Sequence, residues 1–203
     1  MHLNSSNTPR DSGNSSQPFF LGHRVKTTIM PPSIGDRSYG IIPLRHTPGT
    51  PSANVKLNRQ NTEVLLIYQK TARRSLPWFW CFPKGHAERS DASFQHAAIR
   101  ELKEETGLKI ELSDLLTFED NPDSSFKEVY VNPVRNVGKE VRYWVGLVKN
   151  GDSKIKVQER EVADARWCSW EEAMKLITFE EARNMLKTVE RSLSSSVGGK
   201  TNL

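Results

Sequence analysis

Hydrophobic residues occur along this chain in short runs, and their spacing changes from run to run. Residues 39–44 (YGIIPL) and 63–68 (EVLLIY) are apolar runs of strand length. The Pro-, Gly- and Asn-containing stretch 46–61 between them reads as a loop. Residues 79–82 predict a third short strand, which Pro83 ends. Residues 93–106 are good helix formers, with Ser93 as N-cap and Gly107 as the C-terminal stop. Residues 108–118 read as extended, and the polar segment EDNPDSSFKEVYVNPVRN as a long loop holding one short strand. Residues 140–148 (EVRYWVGLV) predict a strong strand and 165–170 a weaker one. Capping boxes at Ser169/Glu172 and Thr178/Glu181 mark two helix starts. The second of these helices carries Phe179, Ala182, Met185, Leu186 and Val189 on one apolar stripe. No internal repeat is visible. The order of elements predicts an α/β fold, a sandwich in which a mixed central sheet lies between helices.

Composition sets the limits of that domain. Residues 1–36 are rich in Ser, Asn and Pro and are expected to be disordered, as is the tail 192–203, leaving 37–191 as the folded unit of the 203. With 26% charged and 36% hydrophobic residues the chain reads as soluble and globular, and no apolar run approaches the roughly 20 residues that span a bilayer. The first thirty residues lack the apolar core of a secretory signal, so the triplets at Asn4 and Asn14 carry no glycosylation reading. Asp11 and the Asn content argue against a mitochondrial presequence. A cytoplasmic location, or a nuclear one, is expected. Cys81 and Cys168 fit buried free thiols of a reducing compartment better than a disulfide. The net charge of +5 suits an anionic ligand, but also many other roles.

The chemistry is concentrated in RELKEETGL, residues 100–108. Glu101, Glu104 and Glu105 fall at i, i+3 and i+4, on one arc of about 100° of a helix. Like charges so close repel, and the usual countercharge for clustered carboxylates is a hard divalent cation. A solvated surface helix is the plain alternative, with Arg100 and Glu104 as an ordinary i, i+4 pair. Position favours the metal site. Ala98 and Leu102 should face the core, and Glu101 and Glu105 lie within roughly 60° of one of them, at the edge of the buried stripe. Carboxylates held there need partners.

This segment resembles the Nudix box, GX5EX7REUXEEXGU with U aliphatic. Gly85, Arg100, Glu101, Leu102, Glu104, Glu105, Gly107 and Leu108 match it, and the likeness extends from about residue 39 to 191. It departs in one place. Fourteen residues separate Gly85 from Arg100 where the pattern has thirteen, and the loop acid is Asp91, an accessory ligand at best. The resemblance implies a Nudix-type α/β/α sandwich that hydrolyses a nucleoside diphosphate linked to another group, using Mg²⁺ or Mn²⁺. It implies that Glu101, Glu104, Glu105 and Gly85 hold metal, that Arg100 orients a glutamate, and that Lys84 and His86 contact phosphates.

Within the family, the loop FPKGHAE and the TFEEAR step near the C-terminus are similar to the asymmetrical diadenosine tetraphosphate hydrolases. That branch implies a nucleoside polyphosphate substrate cut to ATP and AMP, with Glu161, or its neighbour Glu159, as general base. Tyr143 and Trp80 become candidates for stacking on adenine, although aromatic residues in strands are more often core. Trp78 and Trp80, two apart, should share one face of a strand. Three rivals remain. A diphosphoinositol polyphosphate phosphohydrolase would draw on Arg73 and Arg74, a messenger RNA decapping enzyme would need an RNA-binding stripe, and a nucleotide-binding regulator would have lost turnover.

Overall fold

Strand β1, Ile34–His46, is the spine of a seven-stranded mixed sheet. The computed structural model describes residues 33–50, 55–71, 75–132, 135–149 and 154–195. Arg73, Arg74 and the Asn4 and Asn14 triplets lie outside them. Along its length β1 pairs in parallel with β6, Val137–Leu147, in the register Tyr39↔Arg142 to Leu44↔Leu147. Its last residues pair antiparallel with β2, Thr62–Gln69, and its middle with the two-residue β4, Lys84–Gly85. Strand β2 also pairs with β3, Phe79–Cys81, and with β7, Val162–Cys168. Strand β5, Ser125–Asn132, closes the far edge against β6.

Alternation along these strands builds two cores. Tyr39, Ile41, Leu65 and Trp144 pack on one face with Ala97, Ala98 and Leu102 of α1, Phe94–Thr106. Ile42, Leu44, Val64, Leu66, Tyr143 and Val145 pack on the other with α2, Trp170–Leu176, and α3, Glu180–Ser195. Helices thus cover both faces, the expected α/β/α sandwich. The expected cap of α1 is in place, with Ser93 Oγ accepting from His96 N at 3.3 Å. At its other end Gly107 adopts φ 74°, a left-handed turn that glycine adopts at low cost, and donates to Lys103 O at 2.8 Å. Cys81 and Cys168 are free and buried. No helix among the described residues is long and apolar enough to cross a membrane.

Several expected boundaries move. β1 begins at Ile34, inside the stretch expected to be disordered, because Asp36 and Arg37 find ladder partners in Lys139 and Glu140. α3 continues to Ser195, with Ser192 and Leu193 buried. Residues 108–118 are not extended throughout; Leu112–Asp114 form a 3₁₀ turn closed by Asp114 Oδ2, which accepts from Glu111 N. β5 is a full strand paired over its whole length, not a short one in a loop. β7 starts three residues early, and Trp170 opens α2 instead of ending the strand. Thr178 does not cap α3, which starts at Glu180; its hydroxyl accepts from Trp80 N at 3.0 Å.

Candidate active site

A cleft of about 400 Å³ opens where α1, β4, the start of β1, β6 and the loop before β7 meet. One wall is acidic, with Glu101 and Glu104 from α1, Glu88 from the loop after β4, and Glu161 just before β7. The other is cationic and polar, with Lys84, His86, Lys139, Ser38 and Gln69.

The acids are graded by depth. Glu104 is exposed and Glu101 half-buried. Glu105 lies on the buried stripe itself at 1% exposure, one helical turn beyond Leu102. Glu105 Oε2 accepts from Lys84 N at 2.8 Å, which ties the end of α1 to β4, while Oε1 is buried without a hydrogen-bond partner. Burial above all pushes this carboxyl up to about 8, and the charges of Glu101 and Glu161 add to the effect. Burial also raises Glu101, against the pull of Arg100. Gly85 leaves room for the Glu101 carboxylate, since a Cβ there would lie 2.1 Å from its carboxylate carbon and the side chain would have to shift.

Arg100 organises the loop. Its Nε and Nη2 bind both oxygens of Asp91, at 3.1 and 3.0 Å, and Nη2 also donates to His86 O at 2.8 Å. Nη1 donates to Glu101 Oε1 at 3.0 Å and Glu104 Oε2 at 3.2 Å. Asp91 is therefore the anchor of Arg100 and corrects the expectation of an accessory ligand. Glu88 of the same loop, not foreseen from the sequence, lines the cleft, and Asp91 does not.

Lys84 is buried, with Nζ donating to Gln69 Oε1 and lying 5.5 Å over the Phe79 ring. Burial opposes its charge, but the groups around it, Glu105 and Glu128 among them, raise its pKa overall. His86 Nε2 meets Asp36 Oδ1 at 2.8 Å, and Lys139 Nζ donates to Asp36 Oδ2 at 3.2 Å. Burial would raise the Asp36 carboxyl, yet the bonds from His86, Asn132 and Lys139 hold it at about 2. Lys139 and Asp36 were not singled out because lone charges on strands give no motif.

The aromatic expectations change most. Tyr143 is fully buried, edge-on to Phe82 at 5.7 Å, and its Oη donates to Glu128 at 3.0 Å. It belongs to the core under α2 and α3 and offers no stacking face. Trp80 stacks on Tyr68 at 5.0 Å, with the Arg166 guanidinium 4.6 Å over its ring, and Trp78 meets the same Tyr68. Its ring is engaged there, outside the cleft lining. An aromatic group that the sequence did not mark lies beyond Lys84. Phe79 meets Phe179 at 5.1 Å, and Phe179 stacks with Tyr130 at 6.0 Å and 9°. Phe179 is 36% exposed. Of the two candidate bases, Glu161 lines the cleft and Glu159 does not; the Glu159 carbonyl accepts from Lys70 Nζ.

Among the described residues no three acids, imidazoles or thiolates close into a ready-made metal shell, since Arg100 holds Glu101 and Glu104. The donor set nonetheless fits a hard cation. It contains only oxygens, the carboxylates of Glu101, Glu104 and Glu105, which repel one another, with the Gly85 carbonyl, and the buried Glu105 Oε1 has no hydrogen-bond partner.

Comparison with known proteins identifies the domain and the fold. The profile of the NUDIX domain matches residues 49–189. The asymmetrical bis(5'-nucleosyl)-tetraphosphatase of Caenorhabditis elegans is 32% identical over 132 residues, 61% of this chain and 88% of that protein. Nudix hydrolase 2 of Arabidopsis thaliana is 31% identical over 112 residues, 55% of this chain, which spans only 36% of that plant protein's length. The crystal structure of a C. elegans Ap4A hydrolase binary complex superposes with a TM-score of 0.59 at 24% identity, covering 78% of this chain and 98% of that one. At that identity the likeness concerns the fold.

Proposed function

The chain belongs to the Nudix family, and from that premise we propose that it is a hydrolase of phosphoanhydride bonds in nucleoside polyphosphates, dependent on Mg²⁺ or Mn²⁺. Its substrate in this reading is diadenosine tetraphosphate, cut to ATP and AMP by attack of water at phosphorus. The carrying observation is the two-sided cleft, with Glu101 and Glu104 over the buried Glu105 on one wall and Lys84, His86 and Lys139 on the other. A polyphosphate bound through cations needs both. The similarity to the worm tetraphosphatase supports the choice of substrate.

Glu101, Glu104, Glu105 and the Gly85 carbonyl would hold the cation. When bound, it neutralises phosphate oxygens and makes a water more acidic. Arg100 orients Glu101 and Glu104 through charge-assisted bonds and pins the 86–91 loop. Glu161, on the acidic wall, accepts the proton of the attacking water. Lys84, His86 and Lys139 bind the phosphates. For adenine we take Phe179, 36% exposed beside Tyr130 and, like Trp80, outside the cleft lining, as the stacking platform in place of the buried Tyr143.

A substrate panel with Mg²⁺ tests this: diadenosine tetraphosphate, a diphosphoinositol polyphosphate and capped RNA, scored by products on anion exchange. ATP and AMP from the first are expected. Turnover confined to either of the others, or nucleotide binding without turnover, contradicts it.

A further inference from the structure

The cationic wall has a part that the acidic helix does not account for. Asp36 is 4% exposed, sits behind the cleft, and is not among its lining residues. It follows an irregularity in the β1–β6 ladder, between Ile34 and Asp36, and lies level with Lys139. Three donors from three other segments converge on its carboxylate. Oδ1 faces His86 Nε2 from the loop after β4, and Oδ2 accepts from Asn132 Nδ2 at the end of β5 and from Lys139 Nζ of β6. Two of the three, His86 and Lys139, line the cleft.

We propose that Asp36 is a positioning residue for the polyphosphate, holding His86 and Lys139 side by side as paired phosphate donors opposite the acidic helix. The inference rests on reading the cleft as a polyphosphate site. The His86 side chain is 57% exposed and would otherwise be free to turn. An ionised carboxylate only accepts, so the Nε2 that meets it carries the proton and the ring orientation is fixed with it; Nδ1 is then the nitrogen left for a phosphate oxygen, and it donates only when the ring carries both protons. Lys139 has three N–H bonds; Asp36 takes one and leaves the others for phosphate. A carboxylate shared by the two side chains holds both within reach of one anion. Asn132 ties the same carboxylate to the β5–β6 hairpin, so the wall is braced from both sides.

The test uses the full chain and the isosteric Asp36→Asn. With diadenosine tetraphosphate, D36N and K139M should each raise KM about tenfold while kcat changes less than about threefold. The double variant should stay near about tenfold, because both changes disable one unit. A loss confined to kcat, an unchanged KM, or effects that multiply to about a hundredfold overturns the proposal. Long-range ¹H–¹⁵N spectra of the wild-type chain, with His86 identified by His86→Gln, read the positioning without turnover. An Nε2–H ring that loses this tautomer preference in D36N is expected, and a wild-type ring already in the Nδ1–H form overturns the proposal even if D36N does not fold. Should no nucleoside polyphosphate be hydrolysed, the proposed function fails by itself. Inorganic tripolyphosphate binding by calorimetry then replaces KM, and equal affinity for wild type and D36N overturns the role of Asp36.

Discussion

Glu105 shows what a single carboxyl can reveal about its surroundings. It is held at about 8 in the fold, mainly by burial, against an ordinary 4.5. Between those values the folded chain keeps a proton that the unfolded chain has lost. The associated stability is full below about 4.5 and is lost as pH rises towards 8. Metal-free protein should therefore lose thermal stability between pH 5 and pH 8, while Glu105→Gln removes that part of the slope; identical slopes in the two proteins would contradict the burial argument. The same variant should lower kcat by about a thousandfold or more, with circular dichroism unchanged, and a mild loss would remove Glu105 from the metal site. The spacing of the three glutamates was visible in the sequence because helical period alone places them. The parts played by Asp91 and Tyr143 were not. The part of Asp91 depends on the loop folding back onto Arg100, and the face of Tyr143 depends on its pairing with Gly40.

Helix α1 and strands β2 and β6 were legible for local reasons: caps, period, and long apolar runs. The two-residue β4 was not, since it exists only through pairing with β1 at Tyr39 and Gly40. β5 was underestimated because its outward Lys127, Val129 and Val131 dilute the apolar pattern of an edge strand. The crossing of β1, β4 and β6 is tight at Gly40, where a Cβ would lie 2.3 Å from Pro83 O and 2.7 Å from Tyr143 Cε1. Gly40→Ala should cost about 2 kcal/mol or more in urea unfolding, since backbone must move. Ser93→Ala, which removes the cap of α1 and the contact of its hydroxyl with His96 Nδ1, should cost about 1 kcal/mol. An equal or smaller cost for Gly40→Ala would mean that the crossing is looser than the structure shows.

The whole molecule brings together what the sequence keeps apart. Glu101, Lys139 and Glu161 are far apart along the chain, and only the order β2-β1-β6, with β7 on β2, gathers them round one cleft. Glu101 and Glu104 of the acidic wall could be anticipated from one contiguous motif, and Lys84 and His86 from the loop before it. Glu88, Lys139 and the Phe79–Phe179–Tyr130 aromatic group could not, because they are single residues drawn from separate elements. Phe179→Ala should raise KM for an adenine-containing polyphosphate about tenfold with little change in kcat, consistent with a stacking contact of about 1–2 kcal/mol. An unchanged KM in steady-state assays would exclude that ring as the base platform. The most direct measurement is the initial rate on diadenosine tetraphosphate as Mg²⁺ is raised from zero, with products resolved. ATP and AMP in equal amounts, saturating with Mg²⁺ and nearly absent in Glu105→Gln, is the expected result. A rate indifferent to Mg²⁺ or to Glu105, or two molecules of ADP as product, would contradict it.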